Sequence, residues 1–189
     1  MSQTTKRALA ASLKKLLQER PLDKIAIVDI TLDCGVNRQT FYYHFQDIYN
    51  LIQWIYTNEA PKAPDGRKTR ILWQQGIMEI FEYALENKAF VMNTYYSDGR
   101  QYLEEYLYTE VNHLLSEAIE AAEAGITVAE EDKTFIIRFY KYAFVGLMLE
   151  WIDGEMKERP AVIIDRLSIL IQGDIVRALE KFRIDRRFR

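Results

Sequence analysis

Seven consecutive residues, Arg38-Gln39-Thr40-Phe41-Tyr42-Tyr43-His44, carry six side chains that form hydrogen bonds and a single phenylalanine. Arginine can fork onto guanine and glutamine onto adenine. Threonine, tyrosine and histidine reach phosphate oxygens or a thymine methyl. This set suits the edges of a nucleic-acid duplex. Catalytic chemistry has no comparable cluster. The one cysteine, Cys34, and the two histidines, His44 and His113, are too dispersed for metal-ligand spacing, so neither a metal nor a cofactor is expected. The chain has no nucleophile elbow, P-loop or glycine-rich dinucleotide fingerprint. The glutamates of EEDK and LSEAIEAAEAG read as solvated helix faces, and His113 as a surface or satisfied residue. An enzyme is not expected.

The elements that must hold those six side chains lie in IAIVDITLDCGVNRQTFYYHF, residues 25–45. Ile27, Ile30 and Cys34 form a short apolar stripe, with Cys34 expected to be a small buried hydrophobe. Gly35 can take φ > 0 and end that helix tightly. Asn37 is a good N-cap for a second helix starting at Arg38. Two short helices joined by such a turn make a helix-turn-helix. Phe41 and Phe45, at i and i+4, face inward with Val36. Arg38, Gln39, Tyr42 and Tyr43 then project outward, with Thr40 and His44 at the edges.

The rest of the chain reads as all-α. Leu9, Leu13, Leu16 and Leu17 recur at helical spacing, and apolar–polar alternation is nowhere sustained. The four prolines, Pro21, Pro61, Pro64 and Pro160, fall where helices should start or stop. Nine helices are expected, at 4–19, 27–34, 38–44, 48–58, 67–86, 88–96, 100–124, 129–154 and 160–182. The expected domains are a helix-turn-helix head at 1–46, a connecting helix at 47–58 and a helical body at 59–189, with EAPKAPDG the clearest break. The net charge of -3 conceals an asymmetry. Residues 1–46 carry seven Lys/Arg against four Asp/Glu, leaving 18 against 24 for the remainder. A basic head on an acidic body permits DNA binding by the head alone. The N-terminus lacks the apolar region of a signal peptide, and no apolar run nears the roughly 18 residues that span a bilayer. A cytoplasmic setting is expected.

The run IVDITLDCGVNRQTFYYHFQDIYNLI resembles the N-terminal signature of the TetR family of bacterial regulators. Asp29-Ile30, Cys34-Gly35-Val36, Thr40-Phe41-Tyr42-Tyr43-His44-Phe45 and Leu51 match in register, and the likeness covers residues 4 to 55. It implies a nine-helix homodimer with an N-terminal DNA reader and a C-terminal, ligand-responsive body. Carried over by position, Arg38, Gln39, Thr40 and Tyr43 meet bases while Tyr42 and His44 hold phosphates. Thr4, Thr5 and Lys6, at the start of the first helix, are further phosphate candidates. Three positions depart from the pattern. Ala26 replaces a capping threonine, removing a cap worth about 1 kcal/mol. Gln46 and Ile48 stand where lysines are common, which implies weaker and less salt-sensitive binding.

The two C-terminal segments, KTFIIRFYKYAFVGLMLEWI and PAVIIDRLSILIQGDIVRAL, are apolar on more than one side, as in a helix buried on two sides. They are expected to form a four-helix dimer interface through Phe144, Leu147, Trp151, Ile164, Leu167, Ile171 and Ile175. Gly146 and Gly173 would allow close helix approach. Ile163, Ile169 and Val176 lie off the main stripe. Trp73, Phe81, Tyr95, Tyr96, Tyr102, Tyr106, Phe139 and Tyr142 are the candidate lining of a pocket for a small-molecule effector. The expected function is effector-controlled transcriptional regulation at a double-stranded DNA operator, repression ahead of activation. The alternative is a helical dimer with a degenerate head that acts through a protein partner.

Overall fold

The computed structural model describes residues 2–63, 73–122, 125–171 and 173–184. Expectations for Pro64, for helix at 67–72 and for helix at 123–124 lie outside the described residues. The described chain is all-α, with Val128 and Arg183 forming an isolated bridge. It divides into two compact units, one of residues 1–60 and 83–106, the other of 61–82 and 107–189.

The first unit is built on α1, Ser2–Leu16, whose Leu9, Leu13 and Leu16, with Leu17 just beyond, are buried as their spacing demands. Pro21 opens a single 3₁₀ turn, Leu22–Lys24. Helices α2, Ile27–Asp33, and α3, Arg38–His44, follow. Helix α1 grips α2 through polar contacts: the buried Ser12 hydroxyl donates to the Ile30 carbonyl at 3.0 Å, and Lys15 pairs with Asp33. That pairing holds the Asp33 carboxyl below, and the Lys15 ammonium above, their ordinary ranges. The expected gap at Ala26 is partly closed by another residue. The methyl cannot accept a hydrogen bond, but the Asp29 carboxylate reaches back to accept from the Ala26 N–H at 2.8 Å, the second half of a capping box.

Helix α4, Ile48–Asn58, starts from Asp47, which accepts from Asn50 N–H at 2.7 Å. Its buried face, Leu51, Ile52, Ile55 and Tyr56, meets α6, Lys88–Tyr95, through aromatic contacts. The Tyr56 ring lies 5.0 Å from Phe90 and is stacked 5.5 Å from Tyr106. Asn93 of α6 accepts from the Leu22 N–H at 3.1 Å and so pins the turn after α1.

Helices α5, Trp73–Glu86, and α7, Arg100–Ala122, run through residues of both units. In the second unit they are joined by α8, Glu130–Asp153, α9, Pro160–Ile171, and α10, Asp174–Lys181. The last segment is thus two helices where one was expected over 160–182. Gly173 adopts φ +77°, a left-handed conformation that no helix interior contains, and the chain turns there. The glycines expected to allow close approach do not do so within the chain, since a Cβ at Gly146 or Gly173 would meet nothing within 4 Å. Close approach occurs at Gly76 instead, where a Cβ would fall 2.4 Å from the Leu114 side chain. Between α8 and α9, Glu155 and Met156 both take positive φ, and the Met156 N–H closes the turn on the Trp151 carbonyl at 2.8 Å.

Candidate nucleic-acid interface

Helix α3 is held from beneath and open above. Phe41 is fully buried and Phe45 nearly so, their rings 5.9 Å apart, and Trp54 of α4 packs edge-on against Phe45 at 6.1 Å. Gly35 at φ +71° makes the turn, and the Val36 N–H donates to the Thr31 carbonyl at 2.9 Å. Asn37 caps α3 by accepting from the Thr40 N–H at 2.8 Å. This local wiring sends Arg38, Gln39, Tyr42 and Tyr43 into solvent, Tyr43 with 82% of its surface exposed. Thr40 and His44 are half-buried. The His44 ring meets the Tyr43 ring edge-on at 4.9 Å. Arg38 donates to the Tyr42 hydroxyl at 3.5 Å, so the two longest outward side chains lean together.

The neighbouring elements add cations at the margin. Lys6 of α1 stands 5.5 Å above the Phe45 ring, while Thr4 is exposed and Thr5 half-buried in the same turn. Gln46 is exposed and Ile48 half-buried, so neither supplies positive charge at the end of α3. Cys34 is half-exposed rather than buried. It occupies the C-cap of α2, where a side chain points partly outward, and its thiol rests 3.8 Å from the Thr31 carbonyl. Partial burial pushes its pKa up, which disfavours the reactive thiolate.

Residues 72–173 match the family described as the TetR-type transcriptional regulator C-terminal region. The chain belongs to the TetR family. It is 25% identical over 148 residues to the HTH-type dhaKLM operon transcriptional activator DhaS of Lactococcus lactis subsp. lactis, covering 77% of this chain and 78% of that one. It is 29% identical over 93 residues to the HTH-type transcriptional regulator EthR of Mycobacterium tuberculosis, 43% of each. A solved structure of the dihydroxyacetone kinase operon activator DhaS has the same fold, with a TM-score of 0.74, 23% identity, and 95% of this chain and 98% of that one aligned. The protein is therefore a DNA-binding transcriptional regulator of the TetR type, and its relatives are regulators rather than enzymes.

In this TetR-family chain the expected contact residues of the C-terminal helices divide sharply. Phe144, Trp151, Ile164, Leu167, Ile171 and Ile175 are buried inside their own unit, Phe144 edge-on to Trp73 at 5.2 Å and Trp151 edge-on to Phe81 at 4.7 Å. Those six are core, and of the seven only Leu147 faces out, 39% exposed. Besides Leu147, the outward apolar side chains of these two helices are Phe135, Phe139 and Tyr142 on α8 and Ile169 and Leu170 on α9. Ile169 lies off the apolar stripe in the sequence, which is the signal for its exposure. Leu170 carries no such signal, since it adjoins the buried Ile171 in the apolar run Ile169-Leu170-Ile171.

The eight aromatic candidates for an effector pocket occupy four kinds of environment. Phe81, Tyr95 and Tyr106 are packed in cores, and the Arg100 guanidinium covers the Tyr95 ring at 4.3 Å. Tyr96, Phe139 and Tyr142 are exposed, and Tyr102 is half-buried. Trp73 lines a hollow of about 440 Å³ with Gln74, Ser168, Ile169, Ile171 and Ile175. Gln74, beside Gln75, and Ser168 are not among the expected residues, because an amide or a hydroxyl on a helix carries no pattern of its own. His113 is an exposed neighbour of Glu110, whose carboxylate accepts from the Ala63 N–H at 2.6 Å. Among the described residues no cluster of His, Cys, Asp and Glu is placed to hold a metal, and no helix is long and apolar enough to cross a membrane.

Proposed function

We propose that the protein is a homodimeric regulator that reads a DNA operator with α3 and responds to a small molecule bound in its C-terminal helices. The division of labour is a head at 1–46, a connecting helix at 47–58 and a body at 59–189. The row Arg38, Gln39, Tyr42 and Tyr43, solvent-facing and backed by Phe41 and Phe45, is the observation that carries the reading. Arg38 and Gln39 reach base edges together with Thr40 and Tyr43, while Tyr42, His44, Thr5 and Lys6 secure phosphates. The outward apolar residues of α8 and α9 support pairing with a second copy, since exposed patches of this kind mark interaction surfaces. The Trp73 hollow, apolar with an amide and a hydroxyl at its wall, has the chemistry of an effector site. An effector preferring one arrangement of the dimer would shift it toward or away from the DNA-competent form. The DhaS relative is an activator, which favours activation over the repression first expected.

Titration of labelled genomic fragments at two salt concentrations tests the reading. Saturable, sequence-selective binding is expected, with a shallow salt slope because Gln46 and Ile48 bring no cation. Arg38→Ala should relax specificity by about 1–3 kcal/mol at one base pair. Uniformly non-selective binding would instead favour the degenerate head that works through a protein partner.

A further inference from the structure

The outward face of α3 has a hydrogen-bond polarity set by its own cap. The Asn37 side-chain oxygen accepts twice from Thr40, from the backbone N–H at 2.8 Å and from the hydroxyl at 3.0 Å. The backbone N–H can only donate, so an acceptor must face it, and this fixes the amide with its oxygen toward Thr40. An amide oxygen never donates. The Thr40 hydroxyl must therefore be the donor in the second bond, and its single hydrogen is committed there. Thr40 retains only lone pairs and its γ-methyl for a ligand. Tyr42 is wired the opposite way. Its oxygen accepts from Arg38 at 3.5 Å, so the phenolic hydrogen remains available outward.

DNA sorts these two polarities. Phosphate oxygens only accept, so they match Tyr42 and offer nothing to an acceptor-only Thr40. The major-groove groups that donate are the adenine N6 and cytosine N4 amines. We propose that Thr40 is a specificity-determining residue of acceptor-only type, selecting adenine or cytosine at one position of each half-site through its exocyclic amine. Thr40 does not act as a phosphate clamp. This rests on the reading of α3 as the DNA-contacting helix and goes beyond it by naming the edge chemistry that one side chain demands.

The test is selection of bound duplexes from a randomised pool by the full-length protein and by the Thr40→Ser and Thr40→Val variants, each first shown to melt as the wild type does. The wild type should enrich adenine or cytosine at one position per half-site. Thr40→Ser keeps both the hydroxyl and the bond to Asn37, and should keep the preference. Thr40→Val keeps the shape and methyl groups but loses the acceptor, and should lose about tenfold discrimination at that position alone. Replacing the selected adenine by purine, or the selected cytosine by 2-pyrimidinone, removes the amine. This should weaken the wild type by a similar factor and leave Thr40→Val unchanged. Two outcomes would overturn the proposal: Thr40→Val weakening every sequence equally, as loss of a phosphate contact would, or Thr40→Val retaining the preference, as a methyl contact would. A wild type that enriches no sequence is a separate result, and would sink the DNA-reading assignment itself.

Discussion

The outward faces of α3 and α9 solve opposite problems with neighbouring residue types. On α3, aromatic side chains face water, but Tyr42 and Tyr43 carry hydroxyls and stand among Arg38, Gln39 and His44, so the surface is wettable and chemically informative. On α9, Ile169 and Leu170 are 76% and 70% exposed and offer water nothing to bond. The first face stays well solvated with no partner on it. The second leaves apolar atoms in water, which costs about 25 cal/mol for each Å² of apolar surface so exposed. Exposure alone therefore says little about function. The atoms exposed decide what kind of partner a face could accept.

The contrast breaks most severely if the support under α3 is removed. Phe41→Ala empties a fully buried site, and chemical denaturation should show a loss of about 3–5 kcal/mol together with loss of operator binding. The other face is tested by Leu170→Glu. Sedimentation should show at least about a tenfold weaker dimer while helical content stays constant, because the side chain is 70% exposed and its replacement disturbs no core. Unchanged self-association would remove α9 from the interface. Next in size, Gly173→Ala forces a Cβ into a left-handed conformation at φ +77° and should cost about 1–2 kcal/mol in thermal unfolding. A straightened helix without loss of stability would show that the corner is optional.

The smallest expected effect is alkaline and confined to the first unit. Burial pushes the Tyr56 phenol well above its ordinary range, with the nearby Thr94 hydroxyl opposing this only in part. The folded form therefore favours neutral Tyr56, and the unfolded chain releases that proton first, near pH 10. This contribution to stability is complete below about pH 10 and is lost as pH rises further. Tyr56→Phe should flatten the alkaline decline without altering stability at neutral pH by more than about 1 kcal/mol. An unchanged alkaline slope would assign the decline elsewhere, with Tyr83 as the next group, since burial raises it in the same direction.

The two helices also differ in how much of each is legible in the sequence. Helix α3 follows from rules acting over a few residues: a glycine that can turn, an asparagine that can cap, and phenylalanines one helical turn apart. Its orientation was readable because each rule is local and all agree. The C-terminal helices offered no such agreement. A segment apolar on two sides does not reveal which side meets its own chain, so Phe144 and Trp151, expected at a dimer interface, pack inside their own unit. The corner at Gly173 was illegible for the same reason. Gly173 stands between Gln172 and Asp174 within an otherwise apolar segment, a pattern compatible with a continuous helix, and only its φ of +77° reveals the break. The Asp29 carboxylate on the Ala26 N–H, which closes only the other half of the cap, is readable in principle, since an acidic residue three positions after an N-cap is half of a known reciprocal pair.

Trp54 rests edge-on against Phe45, in the same unit as α3, whereas the other two tryptophans, Trp73 and Trp151, belong to the second unit. A chain carrying Trp73→Phe and Trp151→Phe would therefore have one indole emitter, seated behind the α3 rod. Its emission wavelength and quenching would report how firmly that rod is seated in free and DNA-bound protein, with no dye attached to the surface under study.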